Sequence, residues 1–391
     1  MNKKLLALAV AGATFAPAVM AQTANPVTLY GTLNVDFESV KATGAAGTGA
    51  NAGSRNRVSS NSSNLGVRGT EDLGGGLKAF FQIESNIPLD GVGTAGTFAS
   101  RNSAVGLQGP GGSVLLGNWD TPYKSITGDA DAMYNTGLAN VVNITSGNAT
   151  PTGAPGTVRN GFDRRSNNSF QYWSPTFNGF SGRFAYSANE GKTTSSAPVQ
   201  QNPSLVSLSG SYSAGPFYVA LAHERHTEFG NSASSLSHDK GLKLAATFTF
   251  GATKIGFITE QLKYRGNIVG LAGATPLLGL PKQFTPGASS EAKISASYIS
   301  LRHSIGKHTL RAAYGADRGV KLNRASSNQT KAQTNVFGYS YTFSKRTDFY
   351  AVYSKIKNEV NSRNDFAING VGGVANGADP VGIGAGFRHT F

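Results

Sequence analysis

The chain has 391 residues, with 35 basic against 21 acidic side chains, a formal charge of +14 and no cysteine. A disulfide scaffold and any thiolate centre are excluded, so the chain must be held by a large core or an extended hydrogen-bonded sheet. Fifty glycines against 15 prolines suit turns and tightly packed strands better than helices, whose interiors glycine destabilises.

Residues 1–21 place Lys3 and Lys4 before an apolar run from Leu5 to Ala16 and end in small residues spaced for cleavage before Gln22. This is the pattern of a secretory signal peptide, too short and wrongly flanked for a spanning helix. The expected mature domain is 22–391, with 33 basic residues left against 21 acidic ones. For an exported chain such a charge points to anionic solutes or a membrane surface. No run of five Lys or Arg residues suggests a nucleic-acid arm, so no nucleic-acid partner is expected.

From there on apolar residues recur at every second position, the period of a strand with two unlike faces. Val27, Leu29, Leu33, Val35 and Phe37 alternate with Thr28, Thr32, Asn34, Asp36 and Glu38. Phe180, Phe184 and Tyr186 stand against Ser181, Arg183 and Ser187, and Leu242, Leu244, Phe248 and Phe250 against Lys243, Thr247 and Thr249. Leu310, Ala312 and Tyr314 oppose Arg311 and Asp317. The final run sets Val381, Ile383, Ala385, Phe387 and Phe391 against glycines, Arg388 and Thr390. Phe80 and Ile299 fall on the polar parity.

Seven short connections carry turn chemistry: EDLGGG (71–76), GPGG (109–112), SPTFNG (174–179), SAGP (213–216), FGAT (250–253), IGKH (305–308) and FSKRT (343–347). Eight long polar stretches lie between them, at 41–57, 86–98, 119–164, 189–203, 226–239, 265–290, 317–334 and 358–379. Seven hairpins flanked by a first and a last strand make sixteen. An even count with both ends at the short-turn side is that of an all-β, 16-stranded antiparallel transmembrane β-barrel. Backbone groups inside a bilayer must all be paired, so strand 1 must meet strand 16 and a chain ending mid-strand at Phe391 finds its neighbour there. A sandwich would bury one face of each sheet, and a solenoid needs a fixed repeat that the spacings lack.

Five blocks, LGVRGTEDLGGGLKAFFQIES (65–85), RNSAVGLQGPGGSVLLGNWDTPYK (101–124), NSFQYWSPTFNGFSGRFAY (168–186), YTFSKRTDFYAVYSKIKN (341–358) and the terminal VGIGAGFRHTF, resemble the general diffusion porins of betaproteobacteria, the Burkholderia, Bordetella and Neisseria type. The resemblance spans nearly the whole mature chain, and its EDLGGGLKA turn and terminal G-x-R-H-x-F are specific. It implies a homotrimer in the outer membrane, in contact with lipid and lipopolysaccharide, whose third long loop folds inward and narrows a water-filled channel. It also implies that the strand ending in Phe391 is read by the barrel assembly machinery.

A channel selects by width and by the charges at its narrowest section. Parity offers Arg68, Lys78, Arg165, Arg183 and Arg311 as a basic wall, with Lys243 and Lys254 on the same side; Glu84, Asp36 and Glu38 offset them. Arg165 aligns with the constriction arginine that the resemblance implies. Two departures thin that wall: Asn64 precedes LGVRG where many members carry arginine, and Asn102 takes the lumen parity while Arg101 sits one step off, at the rim. On the loop 119–164 the acids are Asp120, Asp129, Asp131 and Asp163, of which Asp129 and Asp131 are expected to face the wall.

The expected function is passive, weakly anion-favouring diffusion of small hydrophilic solutes and ions, with no cofactor and no chemical step. The alternative is a substrate-specific channel with a saturable site; a barrel-borne hydrolase is weaker still. His223, Glu224 and His226 imitate part of a metal site, but His223 and Glu224 would point to opposite faces of a strand.

Overall fold

A computed structural model describes residues 27–91, 98–133, 137–145, 162–188, 202–232, 235–265, 291–326 and 329–391. The expected signal peptide lies outside the described residues. The wall begins with β1 (Thr28–Thr43), β2 (Ala52–Ser60, continued by Asn64–Gly74), β3 (Leu77–Asn86), β4 (Ser103–Gly109) and β5 (Gly112–Asp120). It continues through β6 (Arg165–Trp173), β7 (Phe180–Ala188), β8 (Ser204–Ala214), β9 (Phe217–Ser232), β10 (Ser235–Phe250) and β11 (Thr253–Arg265). The circuit is completed by β12 (Glu291–Ile305), β13 (His308–Asp317), β14 (Ala332–Ser344), β15 (Thr347–Asn358) and β16 (Asp379–Thr390). Lys321–Leu322 and Ala325–Ser326 form a small hairpin on the outer end of β12.

These sixteen strands run antiparallel, each beside its sequence neighbours, and β1 closes the circuit on β16 from Thr32↔Thr390 to Thr43↔Asp379. Closure leaves no edge, which is what lets a sheet cross hydrocarbon. No helix among the described residues is long and apolar enough to cross a membrane. All seven short turns fall where the sequence places them, and glycines at positive φ shape most of them: Gly75 at 61°, Gly215 at 51°, Gly251 at 53° and Gly306 at 57°.

The two faces differ as the period requires. Leu29, Phe37, Leu116, Leu208, Leu242, Leu310, Phe337, Ile383 and Phe387 are exposed on the outside, while Asn34, Asp36, Ser169, Gln171, Ser207, Lys243 and Ser340 are buried on the inside. A soluble protein does not expose so continuous an apolar band. Aromatic pairs gather at the short-turn end of that band: Phe180 with Tyr212 at 4.4 Å, Phe217 with Phe248 at 4.8 Å and Phe349 with Phe387 at 5.6 Å between centroids. Rings of this kind suit the membrane–water boundary.

Two expectations are corrected. The stretch 226–239 is not a loop: β9 and β10 stay paired through His226↔Asp239, Thr227↔His238 and Asn231↔Leu236. The sequence there is mostly polar because a ladder can continue beyond hydrocarbon, where no apolar face is needed. Ile299 is not on the polar parity either. It is 49% exposed on the outer face beside Leu301, with Tyr298 and Ser300 buried on the inner one, which fixes the phase of β12. Phe80 does share the inner face, in line with Gln82 and Glu84.

Candidate functional site

The connection between β5 and β6 is the longest one that meets the inner face. Thr121 and Arg164 pair at its neck through a 3.2 Å backbone hydrogen bond. It opens with the single turn α1 (Pro122–Ser125), whose Lys124 N–H is capped by the Thr121 hydroxyl at 3.3 Å. The Ser207 hydroxyl accepts from Tyr123 N at 3.0 Å, the Tyr123 hydroxyl donates to Glu260 at 3.0 Å, and Lys243 Nζ donates to the Thr127 hydroxyl at 3.0 Å. Further along, Ser300 donates to the Ala130 carbonyl at 2.7 Å and the Tyr298 hydroxyl to Asp131 at 3.2 Å. Gly137 N donates to Asn61 at 2.9 Å, in the interruption of β2 where Ser62 has φ 59°.

Apolar contacts accompany these bonds. Tyr123, Ile126, Met133, Leu138, Ile144 and Phe162 pack with inward Ile258, Leu262, Tyr264, Ile294, Tyr298, Val336 and Val352 in one buried cluster. The barrel therefore has a core inside its wall, and the inner face turns apolar where the segment covers it. Gly256 is bare because a Cβ there would overlap the Ala130 carbonyl. Burial raises the Tyr123 phenol, reinforced by the Glu260 carboxylate, and lowers Arg164 to about 10.

Between this segment and the wall lies a cavity of about 520 Å³. Its basic lining is Lys124, Lys254, Arg302 and Arg388; its acids are Asp120, Asp129, Asp131 and Asp163. Asp120 sits between Lys124 at 3.2 Å and Arg165 at 3.1 Å and accepts from the Asn102 amide at 3.0 Å. Asp129 is open to solvent and 3.8 Å from Lys254. Burial raises Asp131 to about 6, although the Met133 N–H and the Tyr298 hydroxyl favour its charged form. Lys254, Arg302 and Arg311 are register partners on neighbouring strands, a row of three cations on one face. Like charges placed directly opposite repel, so the row carries a concentrated positive field.

The model of the Gram-negative porin family matches residues 7–361. The chain belongs to that family. Outer membrane porin protein 32 of Delftia acidovorans is 31% identical over the whole of both chains. An outer membrane porin protein of Bordetella pertussis is 27% identical, again over both whole chains. An anion-selective porin from Comamonas acidovorans superposes with a TM-score of 0.75 at 25% identity, covering 94% of this chain and all of its own. This protein is thus an outer-membrane porin, a diffusion channel, and its polar lumen is the site that matters.

Within the porin the anticipated residues divide into three groups. Arg165 and Arg101 are held by acids: Arg165 by Asp120, and Arg101 by Glu84 at 2.5 Å, which also accepts from Tyr30 at 3.0 Å. The parity argument for Arg165 does not survive, because Asn168 at φ 50° shifts β6 and buries Ser166 while Asn167 is exposed. Arg165 reaches Asp120 all the same, with Asn102 accepting from its Nε at 2.6 Å. Arg311 lies on the inner face but is buried, bonded to Ser340 at 2.7 Å and close to Met133; it is covered rather than open to the passage. Arg68, Lys78 and Arg183 are exposed on the inner face towards the short-turn end. Of the acids, Asp129 and Asp131 face Lys254 and Tyr298, and Asp120 serves the neck.

Arg302, Arg388 and Lys124 also belong to the lining. Arg388 stands on the inner parity that its alternation with Phe387 gives, whereas reading Ile299 in the wrong phase hides Arg302 and no strand period reaches Lys124. In the histidine motif His223 is exposed and Glu224 buried, on opposite faces as expected. Glu224 and His226, two apart, share the inner face with Nε2 and Oε1 2.8 Å apart, and Phe162 stacks on the imidazole at 4.4 Å. Among the described residues no group of three such side chains could hold a metal ion.

Proposed function

We propose that this porin passes small hydrophilic solutes passively with a weak preference for anions. The observation that carries the reading is the register row of Lys254, Arg302 and Arg311, whose first two members line the cavity while the third lies covered behind them. The cavity holds four basic and four acidic side chains, and the raised Asp131 weakens the acidic side as pH falls towards 6. Elsewhere on the lumen wall Arg68, Lys78 and Arg183 have no carboxylate within salt-bridge distance among the described residues. A near-balance with a basic remainder gives a modest field, hence weak selectivity. The stretches 121–133 and 137–145, bonded to the inner face, are the part that narrows the channel. The name of the anion-selective Comamonas acidovorans relative supports the same sign.

The assembly we propose is a homotrimer embedded in lipid and lipopolysaccharide, delivered by a signal peptide over 1–21 and folded by the barrel assembly machinery acting on the strand that ends in Phe391. A trimer form is described for the Vibrio cholerae OmpT, which shares the fold. Reversal potentials in planar bilayers under a KCl gradient test the reading: chloride should permeate faster than potassium. A clear preference for potassium would overturn the sign, and absence of conductance would overturn the channel.

A further inference from the structure

Both tryptophans of the chain stand on one stretch of lumen wall. Trp119 on β5 meets Trp173 on β6 edge to face, with centroids 5.5 Å apart. The Arg183 guanidinium of β7 lies over the Trp173 ring at 5.0 Å. Phe80 of β3 fills the space that Gly106 leaves on the same face, where a Cβ would come within 2.6 Å of its ring. The register places Lys78, Gln108, Ser113, Trp173 and Arg183 in a single row across β3 to β7. Arg68 and Gln82 pair beside it. A cavity of about 490 Å³ opens over this surface, bordered by Arg68, Phe80, Gln82, Gln108, Trp119 and Trp173.

Such a surface is costly to leave in a water-filled channel unless something uses it. Three half-exposed rings offer π faces to a planar group, and stacked or edge-on ring pairs add to simple burial. At the same cavity Arg68, which lies 4.9 Å from the Tyr30 ring centroid, has no carboxylate partner among the described residues. A guanidinium in that state is a fork for a carboxylate.

We infer that this patch is a binding subsite for aromatic carboxylates: the ring packs on Trp119, Trp173 and Phe80, and the carboxylate pairs with Arg68. Lys78 and Arg183 add attraction at either end of the row. The inference rests on the open-channel reading and deepens it by naming a solute class that dwells on its way through. A neutral sugar would gain the stacking without the ion pair, and a short aliphatic acid the reverse.

The test is conductance of the full-length porin in planar bilayers in KCl, titrated with benzoate, acetate and glucose. Benzoate should reduce the current saturably, while acetate and glucose at equal concentration should not. Arg68→Gln and Trp173→Ala should each raise the half-saturating benzoate concentration by about tenfold, the loss of one good contact. Heat-modifiable migration on a denaturing gel identifies folded variants; if Arg68→Gln does not fold, Arg68→Lys should give an intermediate shift. Tryptophan emission of the wild type reports the site directly and should change with benzoate and not with acetate. Equal responses to benzoate and acetate, or to benzoate and glucose, overturn the subsite, as does unaltered block in the variants. A pore that conducts KCl but ignores benzoate removes the subsite and leaves the diffusion reading intact. A protein that does not conduct removes both.

Discussion

Gly31 and Phe391 exchange both of their backbone hydrogen bonds, each 3.2 Å long, so the last residue of the chain completes the ladder that joins β16 to β1. The Phe391 ring lies over the glycine: a Cβ at position 31 would come within 2.6 Å of the ring and 2.7 Å of the Asn64 carbonyl oxygen. The seam is therefore tight on both sides of β1. Gly31→Val should cost about 1–3 kcal/mol through overpacking and lower the temperature at which the barrel unfolds, read as heat-modifiable migration. Phe391→Ala keeps the backbone pair and should cost less than removal of the residue, which breaks it.

The inner seat of the β5–β6 connection makes a second prediction. Gly256 lies under the Ala130 carbonyl, which also accepts from Ser300 at 2.7 Å. A methyl group at 256 meets backbone rather than a flexible side chain, so the connection itself must move. Gly256→Ala should change single-channel conductance and broaden its distribution while the barrel stays folded. Ser300→Ala removes only the hydrogen bond, worth about 1 kcal/mol, and should shift conductance less.

How far the sequence reveals this molecule follows from which forces leave a periodic trace. The wall does: its outer residues must satisfy hydrocarbon, so Leu242, Leu244 and Phe248 mark β10 at every second position, and glycines punctuate the hairpins. Where that demand lapses the signal fades, and for this reason Thr227 and His238 look like a loop although they are paired. Bulges defeat parity in the same way, since one residue at positive φ, Asn168, re-phases β6 and undoes the parity argument for Arg165. The seat inside the barrel leaves almost no trace. Gly256, Ala245 and Ala313 face inward to make room for another segment, and small residues carry no period of their own.

Acidity supplies the third prediction. The Asp131 carboxyl titrates near 6 because burial disfavours its charge. Its folded value lies above the ordinary one, so the folded state binds more protons between about pH 4 and 6, and stability from this group declines as pH rises through that window. At pH 7 the side chain is charged and offsets the nearby cations; at pH 5 it is neutral. The chloride preference measured by reversal potential should therefore rise from pH 7 to pH 5. Asp131→Asn should show the higher preference already at pH 7 and flatten this part of the pH dependence.

Two lumen arginines separate the contribution of a paired cation from that of an unpaired one. Arg165 is 3.1 Å from Asp120, which is itself shared with Lys124 at 3.2 Å. Arg302 has Lys254 and Arg311 as register partners and no acid within salt-bridge distance among the described residues. A paired charge contributes little to the field an ion meets in the passage, whereas an unpaired one between like neighbours contributes nearly all of its own. Arg302→Gln should therefore lower chloride preference more than Arg165→Gln, although Arg165 is the residue that the family resemblance points to. The double variant Arg165→Gln/Asp120→Asn removes the pair together and should restore the wild-type reversal potential, while Arg302→Gln should not be rescued by it. A larger effect at Arg165 than at Arg302 would place the selectivity at the neck of the connection instead of beside the cation row.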